Sequence, residues 1–550
     1  MRKLLTLCFF VLLLISCKKE TAPTTTKALA PFFWEASNVY FLLTDRFNNG
    51  DTSNDINYNR TKETGKLRNF MGGDIKGITQ KIKDGYFTDL GINAIWFSPV
   101  VEQIHGSVDE GTGNTYGFHG YWTKDWTQLD PNFGTKAELS ELVKTAHEKG
   151  IRILMDVVIN HTGPVTEVDP AWEDNWVRTS PKCEYTNYEN TTSCTLVENL
   201  PDILTHSDIP VELPQQLLQK WEADGSLEKE IVSLNSFFER TGYPKAPRYY
   251  IIKWLTDYVR TLGIDGFRVD TTKHVEETVW ADLYKEASIA FNDWKASHPK
   301  EILDDNPFFM VGEVYNYSIS SGRNYDFGDK KVDYFNHGFS SLINFGLKYD
   351  AQNDYEQVFT KYDSILNHEL KGRSVLNYLT SHDDGGPFDK KREKTYEAAT
   401  KLLLTPGASQ VYYGDELARS LEIEGTEGDA TLRSFMNWED LENNSETQQL
   451  LAHYQKLGIF RKNHPAIGMG RHQMIPQIAY VFSRTLKTGS YSDTVLVALD
   501  TPVGIKEIFT GNTFTEGTQL KDIYSGHTAI VEDGKISIDT EFSILLLEEL

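Results

Sequence analysis

Basic residues are in short supply in this chain: 55 Lys and Arg stand against 79 Asp and Glu, for a formal charge of −24 over 550 residues. The acidic excess is spread rather than blocked, which excludes a nucleic-acid partner and a basic membrane-binding face and favours a neutral or cationic partner. Cysteine is scarcer, with four residues, too few for a disulfide framework to carry the fold. No apolar run reaches the ~20 residues that a membrane span requires; the longest covers residues 4–15. No internal repeat is present, so a solenoid is excluded as well. What remains is an apolar content of 39%, enough for a large core in more than one domain. Aromatic residues reach 12%, with 11 Trp and 27 Tyr, more than a core alone requires. In an exported protein such a surplus serves either sugar stacking or core and interface packing.

The N-terminus accounts for two of the cysteines. Arg2 and Lys3 precede the apolar run, and Ser16 and Cys17 follow it, the pattern of a secretory signal over residues 1–17. The segment LISC at 14–17 resembles a bacterial lipobox, in which the cysteine becomes the lipidated first residue. The alternative is an ordinary signal with a coincidental cysteine. Residues 18–31, rich in Thr, Lys and Ala, read as a flexible tether. The expectation is therefore a protein exported to a periplasm or cell surface, a monomer that touches a membrane only through a lipid on Cys17. Cys183 and Cys194 remain in the body, where an oxidising compartment favours a disulfide closing a surface loop over two free thiols.

Strand and helix alternate through the middle of the chain. Apolar runs at 39–43, 94–97, 151–158, 266–269, 308–311, 375–379 and 410–413, with a weaker one at 332–335, read as strands. Helical patterns at 78–87, 136–149, 249–261 and 279–296 separate them. Eight such units predict an α/β fold, a parallel (β/α)8 TIM barrel over residues 32–465. Residues 162–248 break the pattern and are expected to form an irregular insertion after strand 3. From 466 to 550 short alternating strands predict a C-terminal antiparallel β domain, a β-sandwich.

Four polar segments fall where the predicted strands stop: DVVINH (156–161), GFRVDTTKH (266–274), GEVY (312–315) and TSHDD (380–384). Charge at the carboxyl ends of barrel strands is the position of active sites in this architecture. Asp270, Glu313 and Asp383 are far apart in sequence, so only the fold can bring them together.

These segments, with GINAIWFSPV (91–100), YGFHGYW (116–122), LPDI (200–203) and PGASQVYYGDE (406–416), resemble in order and spacing the α-amylase family, glycoside hydrolase family 13. PDILTH, DVVINHTG and GFRVDTTKHVE are most similar to its periplasmic α-amylase branch. The resemblance implies Asp270 as nucleophile, Glu313 as general acid and then base, and Asp383 as a third carboxylate stabilising a distorted sugar. It implies substrate contacts from His119, Tyr121, His382, Lys273 and His274, with Asp156 in support. Arg268, two residues before Asp270 on one strand, is expected to face the same side and hold that carboxylate ionised. Glu313 is expected to have a raised pKa. Ser381 and the run Asp384, Gly385, Gly386 depart from the family pattern around the His-Asp pair.

The resemblance also implies two Ca2+ sites. Asn160, Asp202 and the backbone oxygen of His274 match one, and Asn49, Asp51, Asn54, Asp55, the carbonyl of Gly72 and Asp74 match a second, the alternative for the latter being an Asn/Asp-rich turn. The activity implied is endo-hydrolysis of α-1,4 bonds in starch, glycogen or malto-oligosaccharides, with retention. The alternatives are a glucan transferase of the cyclodextrin-forming type, disfavoured here by the single β domain that follows the barrel, and a catalytically silent glucan-binding lipoprotein, disfavoured by the intact carboxylate trio.

Overall fold

The computed structural model describes residues 30–550; the signal segment, Cys17 and most of the tether lie outside the described residues. Eight strands close into a parallel barrel: β1 (Asn38–Leu42), β2 (Ala94–Phe97), β3 (Arg152–Val157), β4 (Gly266–Val269), β5 (Phe309–Gly312), β6 (Ser341–Asn344), β7 (Ser374–Asn377) and β8 (Ala408–Tyr412). Each pairs with its sequence neighbours, and β8 returns to β1. Every residue of these strands is buried, as expected for a sheet covered inside and out. Among the described residues no helix is long and apolar enough to cross a membrane.

Helices on the outside are set by local signals. They include α1 (Ile75–Lys83), α2 (Lys136–Glu148), α3 (Gln215–Ala223), α4 (Leu227–Thr241), α5 (Pro247–Leu262), α6 (Glu277–Ser297), α7 (Tyr355–Asn367), α8 (Thr395–Leu404) and α9 (Ser445–Asn463). Thr135 and Glu138 form a reciprocal capping box on α2. Pro247 opens α5 and left-handed Gly263 ends it, the usual placement of the two residues.

One predicted strand is displaced. Residues 332–335 do not enter the barrel: Lys331–Val332 pairs in a small hairpin with Tyr325–Asp326, and Tyr334–His337 is a 3-10 turn. The sixth barrel strand is Ser341–Asn344. Half of its residues are polar, so it carries little apolar signal. The Asn344 side chain donates to distant partners, Tyr362 Oη at 2.9 Å and Asn377 Oδ1 at 2.8 Å, while its Oδ1 accepts the backbone N–H groups of Ile319 and Gly346. The excursion after β3 is likewise less irregular than expected. Its first part holds the disulfide between Cys183 and Cys194 and a two-stranded pairing of Val177–Arg178 with Asp202–Ile203. Its second part is the helical pair α3 and α4, whose Leu217, Trp221, Leu234, Phe237 and Phe238 are buried in the main core.

Behind the barrel lies a six-stranded antiparallel sheet of β9 (Arg471–Met474), β10 (Tyr480–Thr488), β11 (Tyr491–Leu499), β13 (Gln519–Asp522), β14 (Thr528–Ile530) and β16 (Leu545–Glu549). A two-stranded sheet of β12 (Gly504–Phe509) and β15 (Lys535–Thr540) packs on it, with Ile508, Ile536 and Ile538 sharing a core with Leu496, Ala498, Leu545 and Leu547. At the junction with the barrel, His464 sits at the end of α9 with Nδ1 2.8 Å from Asp493 and Nε2 3.0 Å from Glu548.

The barrel's seam is tied by Asn38 on β1. Its Nδ2 donates to the carbonyls of Gly91 and Gly458, each at 3.0 Å, and its Oδ1 accepts from Ser409 Oγ of β8 at 3.0 Å. Gly458 must be glycine because a Cβ there would lie 2.0 Å from the Leu90 carbonyl oxygen. Gly150 is left-handed, but a Cβ at that position would meet nothing within 4 Å. Gly458→Ala is expected to destabilise by about 1–3 kcal/mol through overpacking, and Gly150→Ala by about 1 kcal/mol through backbone strain alone. Thermal unfolding of the two variants checks the order; equal losses would mean that the close approach is unimportant.

Candidate active site

Strand register brings the predicted carboxylates together. Arg268 on β4 is in register with Asp156 on β3, and Val269 with Gly312 on β5. The next residues along β4 and β5, Asp270 and Glu313, therefore meet at the carboxyl end of the barrel. Between them lies the buried Arg268 guanidinium. Its Nη1 is 2.9 Å from Asp156 Oδ1 and 2.8 Å from Asp270 Oδ1, and its Nη2 is 3.0 Å from Glu313 Oε2. Glu313 Oε2 also accepts the Thr271 backbone N–H at 2.8 Å, which leaves Oε1 to carry a proton. The carboxyl groups of Asp270 and Glu313 lie within hydrogen-bonding reach of each other.

Electrostatics separates these two acids. Burial, with the Asp270 and Asp383 charges adding to it against Arg268, pushes Glu313 up to about 8. The expectation that Arg268 holds Asp270 ionised is met only in part; burial outweighs the guanidinium and raises its carboxyl to about 6. At neutral pH the arrangement is still an ionised Asp270 beside a protonated Glu313.

A cavity of about 600 Å³ opens over this pair. His119, Tyr121, Lys273, His274, His382 and Asp383 all line it. Tyr121 lies between His382 at 5.3 Å and His119 at 5.8 Å, near-parallel to within 18° but too far from either for face-to-face contact, so its ring is offset from both. His119 Nδ1 accepts the Tyr121 backbone N–H, so Nε2 is free to donate into the cavity. Burial and then the Arg433 charge hold both imidazoles well below their usual pKa, and they are neutral. Asp383, with its side chain 31% exposed, accepts from Ser381 Oγ at 3.2 Å. The departure after it has a local partner: Asp384 pairs with Lys348 and accepts from Tyr378 Oη at 2.6 Å.

Asp156 and Arg268 do not line the cavity. Asp156 is 1% exposed and accepts from Trp96 Nε1 and Tyr121 Oη, each at 2.9 Å, besides Arg268. It positions Tyr121 and the guanidinium. Sequence reasoning missed Arg433, a cavity residue on the loop after β8 that donates to the His382 carbonyl at 2.9 Å. It also missed Glu110, Tyr185, Tyr315 and Asp429 in the cavity wall. Glu110, Tyr185, Asp429 and Arg433 lie outside the strand-end segments; only Tyr315, the last residue of GEVY and two residues after Glu313, carried a signal.

Two groups of oxygen donors sit apart from the cavity floor. The Asn160 carboxamide oxygen lies 3.3 Å from Asp202 Oδ1 and 3.1 Å from the His274 carbonyl oxygen. Three acceptors facing one another are satisfied by a rotated amide or by a hard cation between them, and their chemistry fits Ca2+. Asp202 Oδ2 pairs with Arg178 at 2.9 Å, and burial raises the Asp202 pKa well above its usual value. In the second group, buried Asn49 Oδ1 and Asn54 Oδ1 have no hydrogen-bond partner. Left-handed Gly72 leaves room there: a Cβ would meet Asn49 Nδ2 at 2.4 Å and Asp55 Oδ1 at 2.6 Å. Asp74 caps α1 and accepts the Gly50 and Asp51 backbone N–H groups. The Asp51 carboxylate instead turns to Ser53 and Lys76. The donor set, less that carboxylate, also fits a hard cation. Among the described residues no cluster of three or more His, Cys, Asp or Glu side chains is suited to a metal, so both groups depend on amide and carbonyl oxygens.

The family model described as α-amylase, catalytic domain, matches residues 41–456. The chain is 38% identical to the periplasmic α-amylase of Escherichia coli (strain K12) over 82% of its own length and 70% of the relative's. It is 27% identical to the cyclomaltodextrin glucanotransferase of Geobacillus stearothermophilus over 89% of its length, but spans only 63% of that enzyme. Among solved structures, an Anoxybacillus α-amylase matches with a TM-score of 0.66 at 22% identity, over 94% of this chain and 99% of that one. CldA, a cyclomaltodextrin glucanotransferase with a three-domain ABC distribution, matches with a TM-score of 0.62 at 21% identity, over 94% and 100% of the two chains. These two structures share the fold. With the matched residues spanning the barrel and its strand-end carboxyl cluster, the chain belongs to the α-amylase family of glycoside hydrolases.

Proposed function

We propose that this protein is an exported α-amylase that cleaves internal α-1,4 bonds of starch-like glucans with retention of configuration. The observation that carries the reading is the shared Arg268 clamp, with an ionised Asp270 against a protonated Glu313. Two carboxyl groups within hydrogen-bonding reach are much nearer than the ~6.5–9.5 Å of an inverting pair. Asp270 attacks the anomeric carbon while Glu313 gives its Oε1 proton to the leaving oxygen. Once Asp270 is esterified its charge is gone, and one cause of the raised Glu313 pKa goes with it. Glu313 then takes a proton from water as the water oxygen bonds to the anomeric carbon and the ester bond to Asp270 breaks, which frees the sugar and restores both acids. Asp383, His119 and His382 hold the ring hydroxyls and Tyr121 the sugar face. Export is supported by the 38% identity to a protein named as periplasmic.

Glucan transfer is the second reading, favoured by the similarity to several cyclomaltodextrin glucanotransferases. The number of domains does not separate the two, because CldA has three. Asn160, Asp202 and the His274 carbonyl would hold one Ca2+, and Asn49, Asn54, Asp55, the Gly72 carbonyl and Asp74 a second. When bound, the ion supplies fixed positive charge that ties the excursion to the barrel near Lys273 and His274.

Glu313→Gln and Asp270→Asn are each expected to lower kcat on malto-oligosaccharides by about 10³-fold with unchanged circular dichroism. The wild-type kcat/KM profile should be bell-shaped, rising as Asp270 ionises near 6 and falling as Glu313 loses its proton near 8. Asp383→Asn, which removes a charge that raises the Glu313 pKa, should move the alkaline limb to lower pH. An unmoved limb would argue against Glu313 as the acid. Chromatography of amylose digests is expected to show linear products; cyclic ones would favour transfer. Ca2+ at a hundredfold excess over Kd should stabilise each site by about 2.7 kcal/mol. Metal analysis should give two ions per chain, falling to one in Asp202→Asn, and a count unaffected by that change would remove the first site.

A further inference from the structure

A second cleft lies at the junction of the barrel and the C-terminal domain, away from the catalytic cavity. Its volume is about 420 Å³, within the range of small-ligand clefts, which occur preferentially at domain interfaces. Tyr355 and Tyr396, in the first turns of α7 and α8, form the barrel side; Tyr524 and Phe542 form the domain side. Helices of a β/α barrel begin at the carboxyl ends of its strands, so these first turns lie toward the catalytic face.

The floor is polar but satisfied. His453 is 5% exposed; its Nδ1 is 2.8 Å from Tyr524 Oη and its Nε2 3.1 Å from Thr400 Oγ1. Burial lowers its pKa to about 4, so it is neutral. The rim combines Tyr396, 45% exposed, and Val503, 70% exposed, with the carboxylates of Glu397, Asp500 and Glu541.

This lining selects its ligand by exclusion. Three rim carboxylates repel an anion. A cation would compete for rings already served by lysines, since Lys456 Nζ lies 4.4 Å from the centroids of both Tyr524 and Phe542, and Lys401 Nζ 5.4 Å from that of Tyr355. Glu397 is likewise paired with Lys401. The exposed Tyr396 ring, beside hydroxyl and carboxylate acceptors, suits a neutral polyhydroxylated ligand, whose C–H face stacks while its hydroxyls donate. We propose that this junction cleft is a second α-glucan-binding site, which holds a segment of the polymer while another segment occupies the catalytic cavity. The choice of α-glucan as the sugar rests on the function proposed above.

The test is calorimetric titration of the full-length Glu313→Gln protein with maltoheptaose, alone and combined with Tyr396→Ala or Val503→Trp. Two binding events are expected, one of which weakens about tenfold or more on loss of the ring, as the removal of ~1.4 kcal/mol of stacking would give. Val503→Trp fills the mouth without removing a contact and covers the case in which Tyr396→Ala disturbs folding. In the otherwise wild-type enzyme, both changes should leave kcat on maltotriose unchanged and raise KM on soluble starch. A single binding event, or a second that survives both substitutions, overturns the proposal. So does a second event displaced by tetramethylammonium but not by maltose, which would make the cleft a cation site. Failure of the catalytic reading is distinct, because Glu313→Gln would then still hydrolyse maltotriose.

Discussion

One guanidinium organises the site. Arg268 is a fully buried cation that faces three carboxyl groups from three successive strands. A buried charge without partners costs several kcal/mol, and so do buried carboxylates without a cation. Neither side of this cluster can be removed without stranding the other. The interaction also explains why the acids differ. Asp270 and Asp156 share Nη1, while Glu313 meets Nη2 beside the Asp270 and Asp383 charges. A single cation cannot keep all of them ionised, so the proton settles on Glu313.

Much of this arrangement is legible before folding. Apolar runs ending in a carboxylate mark β3, β4 and β5, and the step of two residues between Arg268 and Asp270 puts both on one face. The family resemblance pairs the distant segments, which composition cannot do. The strand at Ser341–Asn344 is illegible for the opposite reason: half of it is polar, and the Asn344 amide finds the acceptors for its N–H groups only after β7 and α7 are in place. Arg433 is hidden because its role is relational. It contacts the backbone of His382, a relation that leaves no local pattern, and the carboxylate of Asp429, an i,i+4 pair that by itself points to no cavity. The direction of the Asp270 shift is not legible either, because sequence shows the neighbouring charge but not the depth of burial.

The excursion after β3 joins the two kinds of chemistry. Asp202 belongs to its short strand pairing, Asn160 to the end of β3, and His274 to the turn after β4. Oxygen atoms from all three converge beside residues that line the cavity. The disulfide loop reaches the same turn, where the Thr191 carbonyl lies 3.1 Å from His274 Nδ1. The cavity wall on this side is therefore held by covalent and polar links as well as by a small apolar cluster in which Leu196 and Leu200 pack on Ile104 and Trp122.

The Asn38 seam gives the molecule a direction in time. β1 is the first strand of the barrel, yet one of its two ladder partners, β8, is the last. During synthesis β1 remains an open edge until nearly the whole catalytic domain exists, and an open edge is a template for wrong pairing. Closure is then a contact of very large sequence separation, which slows folding. The side chain that binds Gly91, Ser409 and Gly458 together thus acts as a latch, recording that the last strand has arrived.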